Sequence, residues 1–198
     1  MNHNFIRLIR RLGGVKRLHA FRTIFQQDVQ GHSYNVAMLL FEFHRALINQ
    51  NIESDLCYLL LRGLLHDFPE VAGGDIPAPF KRQLELAGVD FKVQENKALR
   101  SDGYSCSDDG TAAYIFGSNE KPLEEQLLKL ADILELLMTC VDEAEGGNGG
   151  LSEVYTKAAR WSKARFQALP PEVREALLAV PVVAMAVSIP SVLDMNAN

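Results

Sequence analysis

The dipeptide His66-Asp67 closes a long apolar run, Cys57-Tyr-Leu-Leu-Leu-Arg-Gly-Leu-Leu65, and opens the polar stretch Phe68-Pro-Glu70. Both residue types ligate divalent metals, and buried ionisable groups are costly without a partner. Taken alone, the pair fits a polar helix end better than a metal site, because the macrodipole favours histidine there and short motifs recur by chance. Residues far away in sequence reverse that reading. His32 stands at the start of an upstream helical pattern, and Asp132 interrupts the apolar stretch Leu127-Leu-Lys-Leu-Ala-Asp132-Ile-Leu. An acid flanked by Leu130, Ala131, Ile133 and Leu134 requires a buried partner. Two histidines and two aspartates form a mixed nitrogen and oxygen set, suited to one divalent transition ion such as Co, Mn, Zn, Ni or Fe. Such an ion polarises phosphoryl oxygens and lowers the pKa of water towards ~7. Glu70, four residues after His66, is about one helical turn away and within reach of that water.

These residues need helices to position them, and the sequence reads as helical nearly throughout. Ser33 to Asn49 repeats apolar residues at 36, 39, 40, 43 and 47, the helical period, with Ser33 as its N-cap. Ser54 to His66 is apolar around most of its circumference, which predicts a central buried helix with Cys57 in the core. Gly73-Gly-Asp75-Ile-Pro77-Ala-Pro79 is a turn-rich loop. Short amphipathic helices are expected over Phe80 to Ala87 and Phe91 to Arg100, with Glu95 an exposed acid, and Ser101 to Gly110 as a polar loop. Pro122 suits the first turn of a long helix over Pro122 to Glu145, terminated by Gly146-Gly-Asn-Gly-Gly150. Leu151 to Leu169 and Pro171 to Val180 supply the last helices. Alternating valine-rich stretches that would require a sheet are missing. The expected fold is all-α, a compact helical bundle. A single domain over 1–198 is expected, its metal-site core at about 7–146 and C-terminal helices at 151–193 packing on it.

Of the 198 residues, 47% are hydrophobic and 23% charged, as in ordinary globular proteins. Cys57, Cys106 and Cys140 are odd in number and lack a CxxC pair, which fits a reducing, cytoplasmic setting and argues against a thiolate zinc site. The charge-free segment from Ala176 to Leu193 is broken by Pro181 and Pro190 and lacks basic flanks, so a membrane span is not expected. No apolar signal-peptide core follows the early charges. The net charge of −5 hides an asymmetry: the first 27 residues carry Arg7, Arg10, Arg11, Lys16, Arg17 and Arg22 and no acid. That segment suits a transit peptide, a nucleic-acid arm or an anion-binding wall of a site.

The ordered set His32, His66-Asp67 and Asp132 resembles the HD-domain metal-dependent phosphohydrolase superfamily. More narrowly, His66-Asp67-Phe-Pro-Glu70 followed by Gly74-Asp75-Ile-Pro77-Ala-Pro79 resembles the bacterial 5'-deoxynucleotidase branch and the related phage dATP triphosphohydrolases. The resemblance covers about residues 7 to 146. It implies an HD-domain helical bundle, a metal site and a homo-oligomer. Position by position it implies that His32, His66, Asp67 and Asp132 are metal ligands. It places Glu70 and Asp75 near the attacking water and the leaving group, and Arg17, Arg22 and Lys81 around the substrate. Which carboxylate holds the proton, Asp67 or Asp75, stays open. Two positions depart from the family pattern. Leu18 stands where the deoxynucleotidases typically carry a Trp that crowds the ribose, and Gly31 stands where a Glu often precedes the first histidine.

With a nucleotide as substrate, the basic N-terminal segment reads as an anion-binding wall inside the fold, Arg17 and Arg22 holding phosphate. Arg7, Arg10 and Arg11 are expected on the solvated side of one helix, and Lys129 in solvent. The expected activity is release of phosphate from deoxynucleoside 5'-monophosphates. The alternatives are a dNTP triphosphohydrolase and a non-catalytic nucleotide-sensing module. A nucleic-acid partner is not expected, because the rest of the chain is acidic.

Overall fold

The computed structural model describes residues 3–106 and 110–189. Three helices carry the residues singled out above. Helix α2 spans Val29–Ile48, following α1 at His3–Arg11. Its cap is Asp28, whose side chain accepts the Gly31 amide at 2.8 Å. Ser33, the cap expected from sequence, is instead buried within the helix. An aspartate accepts from the orphan amides of a first turn as readily as a serine does, and the earlier one took the position. The earlier start places His32 inside the first turn.

Helix α3, Leu56–Leu65, is capped by Asp55, which accepts the Tyr58 amide. His66 is its C-cap residue and begins the turns into the short helix α4, Glu70–Gly73. This helix is less uniformly buried than expected: Cys57 is exposed, and Leu64 is 41% accessible. Cys57 lies in the first turn on the outward side, so the core reading of that cysteine is corrected. Helices α5 (Ala78–Leu86), α6 (Phe91–Ser101) and α7 (Ala112–Phe116) follow. The 24-residue α8, Pro122–Glu145, is about 36 Å long and begins and ends where its Pro and Gly signals place it. Helices α9 (Ser152–Gln167), α10 (Pro171–Leu177) and α11 (Pro181–Ser188) close the described chain. Among the described residues there is no strand beyond one isolated bridge, Lys16 to Asp28, and no helix long and apolar enough to cross a membrane. Pro190 to Leu193, the end of the expected C-terminal helices, lie outside the described residues.

The core is divided into two clusters. The larger joins α2, α3 and α8 to the C-terminal helices through residues such as Phe43, Leu59, Leu134, Phe166 and Val183. The smaller lies under α1 and α6, built from Leu8, Leu12, Phe68, Leu99, Tyr104 and Ile115. Arg11 secures this second region, donating to Asp102 at 2.8 Å and to the Val71 carbonyl at 3.2 Å. The expectation that Arg11 is merely solvated is therefore corrected.

Helices α2 and α3 meet without a side chain between them at Gly63. A Cβ there would lie 2.8 Å from the Ala37 Cα and 3.0 Å from Leu40 Cδ1. Backbone cannot yield as a flexible side-chain tip can. Gly63→Ala is expected to cost about 1–3 kcal/mol through overpacking, read as a lower urea midpoint at an unchanged slope. A midpoint equal to that of the wild type would show that the helices can separate freely.

Candidate metal centre

The first turn of α2, the end of α3 and the middle of α8 converge on one spot. His32 Nε2 lies 3.1 Å from Asp132 Oδ1 and 3.5 Å from Asp67 Oδ2. His66 Nε2 lies 3.3 Å from the same Asp67 oxygen and 4.0 Å from the Asp132 oxygen. Ligand bonds of about 2.0–2.2 Å around one ion place neighbouring donor atoms roughly 3–3.5 Å apart, which most of these separations match. The donor atoms of His32, His66 and Asp132 all lie within 4.8 Å of one another.

The imidazoles are held in the tautomer a metal needs. Nδ1 of His32 donates to Glu135 Oε2 at 2.6 Å, and Nδ1 of His66 donates to the Gly63 carbonyl at 2.9 Å. In the neutral imidazoles each Nε2 then carries the lone pair, and both Nε2 atoms are buried facing carboxylate oxygens. Two such nitrogens facing two carboxylate oxygens make a mixed donor set that fits a divalent ion.

Glu135 was not foreseen in the sequence. It lies one turn after Asp132 on α8, 3% accessible, and its other oxygen accepts from Gln27 and Asn35. An acid between Leu134 and Leu136 carries the same signal that singled out Asp132. The carboxylate behind His32 therefore comes from α8, while Gly31, the sequence neighbour, only donates its amide to the cap.

Arg17 reaches the site from a strap between α1 and α2. The strap neck is closed by Arg17 N–H to the Gln27 carbonyl at 3.1 Å and Val29 N–H to the Val15 carbonyl at 3.0 Å. The guanidinium donates to Asp67 Oδ2 at 3.0 Å, while its Nε is buried and unpartnered. The next residue, Leu18, is half-buried with φ at 53°, a left-handed backbone that L side chains rarely adopt. Arg22 and His19 are exposed, and so is Lys129. Lys81 is bonded elsewhere: its Nζ donates to Glu95 at 3.0 Å and sits 5.0 Å from the centre of the Phe91 ring. Glu95, expected as an exposed acid, is thus half-buried in an ion pair. His44, twelve residues after His32 on α2, is bonded to Ser54 Oγ at 2.8 Å.

Glu70 opens α4 with its Oε2 buried and unpartnered. Burial, with the charges of Asp67 and Asp75, pushes its carboxyl up to about 9. Burial and Arg17 oppose protonation of His32, but its contacts with Asp132 and Glu135 outweigh them and raise it to about 9. Burial holds His66 below the ordinary imidazole value. Despite the cost of burial, His32 and His66 hold Asp132 well below the usual carboxylate range.

These shifts set a pH dependence for the protein stripped of metal. A raised pKa stabilises the fold at pH values below the group's unfolded pKa, and that stability is lost as pH climbs through the folded pKa. His32 therefore loses its contribution between its ordinary value of 6.5 and about 9, and Glu70 between 4.5 and about 9. His66 acts in the opposite sense, but only below 6.5. The urea midpoint of chelator-treated protein is expected to fall from pH 6.5 to 9, and Glu70→Gln to flatten that fall. A midpoint that rises over this interval contradicts the assignment.

A family model described as YfbR-like 5'-deoxynucleotidase matches residues 4–176. The chain is 26% identical to a 5'-deoxynucleotidase of Vibrio atlanticus over 152 residues, covering 73% of this chain and 77% of that one. It is 27% identical to a 5'-deoxynucleotidase of Erwinia tasmaniensis over 175 residues, 84% and 85% of the two chains. Among solved structures, an HD-domain phosphohydrolase from Listeria innocua superposes with a TM-score of 0.74 at 17% identity, covering 98% of this chain and 96% of that one. A cyanophage S-2L HD phosphohydrolase bound to dA and one catalytic Zn2+ ion superposes with a TM-score of 0.67 at 18% identity, over 91% and 95% of the chains.

Proposed function

The chain belongs to the YfbR-like 5'-deoxynucleotidase family, and we propose that it hydrolyses deoxynucleoside 5'-monophosphates at a site built by His32, His66, Asp67 and Asp132. One observation carries this reading: two buried imidazole nitrogens, each fixed in the metal-binding tautomer, face two carboxylates beside an acid with a raised pKa. The ion these four residues would hold supplies Lewis-acid activation of water and of the phosphoryl group. Zinc is the ion named for the cyanophage neighbour, and the donor set suits zinc as well as Co, Mn, Ni or Fe.

The chain's own residues account for the remaining steps. Arg17, aimed into the site by its bond to Asp67, binds a phosphate oxygen through its free Nε–H and second Nη. Glu70 orients the attacking water and, in its ionised form, takes that water's proton; a carboxylate pushed up to about 9 is then a stronger base than an ordinary one, increasingly available as pH rises. Asp75, close enough to Glu70 to raise it, passes that proton on to the departing 5'-oxygen. Leu18 borders the sugar, where it leaves more room than a tryptophan. Arg22, exposed, and Lys81, bonded to Glu95, contribute at most to long-range attraction of the anion. Among the described residues, Arg17 is the cation bonded to a ligand residue, which favours a monophosphate over a triphosphate.

The test is a panel of mono- and triphosphates, ribo and deoxy, with Co, Mn and Zn varied and the released phosphate identified. Orthophosphate from deoxynucleoside monophosphates is expected. Inorganic triphosphate from dNTPs would replace the reading with a triphosphohydrolase, and nucleotide binding without turnover would leave a sensor. The proposal extends to a cytoplasmic homo-oligomer, supported by an odd cysteine count with no CxxC pair and by exposed Met138 and Met185 lining an apolar groove of about 570 Å³. Light scattering after size exclusion decides the oligomer.

A further inference from the structure

Glu143 is 0% accessible, and among the described residues no cation pairs with it. A buried carboxylate is costly unless its oxygens are saturated with donors. Here every donor comes from or towards the strap. The amide of Ile24 donates to Oε2 at 2.8 Å and that of Phe25 to Oε1 at 2.7 Å. The Asn148 side chain donates to Oε2 at 2.6 Å and to the Arg22 carbonyl at 2.8 Å. Phe25 and Ile24 then cover Gly146, where a Cβ would lie 3.0 Å from the Phe25 ring and 3.3 Å from Ile24 Cδ1. The partial positive charge of these donor hydrogens stabilises the carboxylate and holds its pKa below the usual glutamate value, despite its burial.

We infer that Glu143 is a positioning residue for Arg17: it anchors the far end of the strap whose near end presents the guanidinium to the site. The strap is tied at the neck through Arg17 N–H and the Gln27 carbonyl, and at the tip through Glu143. Both ties end on α8 or on residues bonded to it, since Gln27 also reaches Glu135 and Thr139. Asp132 and Glu143 share that rigid helix, so α8 registers the substrate-binding arginine against the metal ligand. Only a carboxylate offers two acceptors to two consecutive amides. A glutamine presents one acceptor and sets its own N–H against the other amide.

The inference rests on the reading of Arg17 as a phosphate-binding residue. It is tested by a double-mutant cycle of Arg17→Ala and Glu143→Gln, with KM, kcat and Co2+ affinity measured for each. Glu143→Gln is expected to raise KM roughly tenfold with kcat and Co2+ affinity within about twofold of wild type. In the Arg17→Ala background it is expected to add less than about twofold, because the group it positions is gone. Asn148→Ala, which removes one of the three donors, is expected to shift KM in the same direction by less, and serves if the glutamine variant folds poorly. If Arg17→Ala leaves KM unchanged, the role of Arg17 fails. If Arg17→Ala raises KM but the Glu143→Gln effect multiplies with it, or Co2+ affinity falls in step, only the coupling through Glu143 is overturned.

Discussion

Asp132→Ala is expected to abolish metal-dependent hydrolysis, because it removes a carboxylate that faces both imidazoles. Loss of an outer hydrogen-bonding partner costs roughly 10–100-fold in metal affinity, and loss of a ligand itself exceeds that. The effect is visible without any assay of turnover. A ligand at a hundred times its Kd stabilises the native state by about 2.7 kcal/mol, and this metal-induced rise in Tm should vanish in Asp132→Ala. Alanine at this position leaves the apolar core intact, since the neighbours Leu130, Ala131 and Leu134 supply the core contacts, so the comparison is made between each protein with and without metal. A variant that still gains stability from Co2+ or Zn2+ as the wild type does would remove Asp132 from the ligand set.

Glu70→Gln separates chemistry from metal binding. Glutamine keeps the shape of the side chain and removes its ability to take a proton. General acid–base groups contribute typically ~10²–10⁴ in rate, so kcat should drop by that factor while metal affinity stays near wild type. The variant also tests the raised pKa: a base with its carboxyl near 9 makes the rate climb from neutral pH towards about 9, and that climb should disappear in Glu70→Gln. A kcat within a few-fold of wild type would transfer the base role to Asp75, the other acid on that side.

Two of the proposed metal ligands stand out in the sequence because each breaks an apolar helical pattern with a group that cannot stay there alone. His66 ends one such pattern and Asp132 interrupts another, and the structure brings both to His32. Helix α8 was legible to the residue, because proline and glycine mark its two ends by backbone geometry rather than by weak propensity. Caps were less legible. Asp28 and Ser33 are both good caps, and only packing decided that Ser33 is buried inside α2. Lys81 shows the limit most clearly. A lysine in the right segment reads as a phosphate ligand, whereas its partner Glu95 lies on a different helix, and no local pattern pairs the two. Glu143 is invisible for the same reason: its donors lie 118 and 119 residues away, in the backbone amides of Phe25 and Ile24, and amides are common to every sequence.

The division of the interior into two apolar clusters has a thermodynamic consequence. His32 falls between Val29, in the smaller cluster, and Val36, in the larger; His66 falls between Leu59 and Phe68, divided in the same way. An ion held at that seam is a cross-link between regions that can otherwise open separately. With the ion removed, amides in 91–106 are expected to exchange with solvent deuterium well before those in 122–145, and with it restored the two protection levels should converge. The cation then serves as a fastener as well as a reagent, making one cooperative unit out of two.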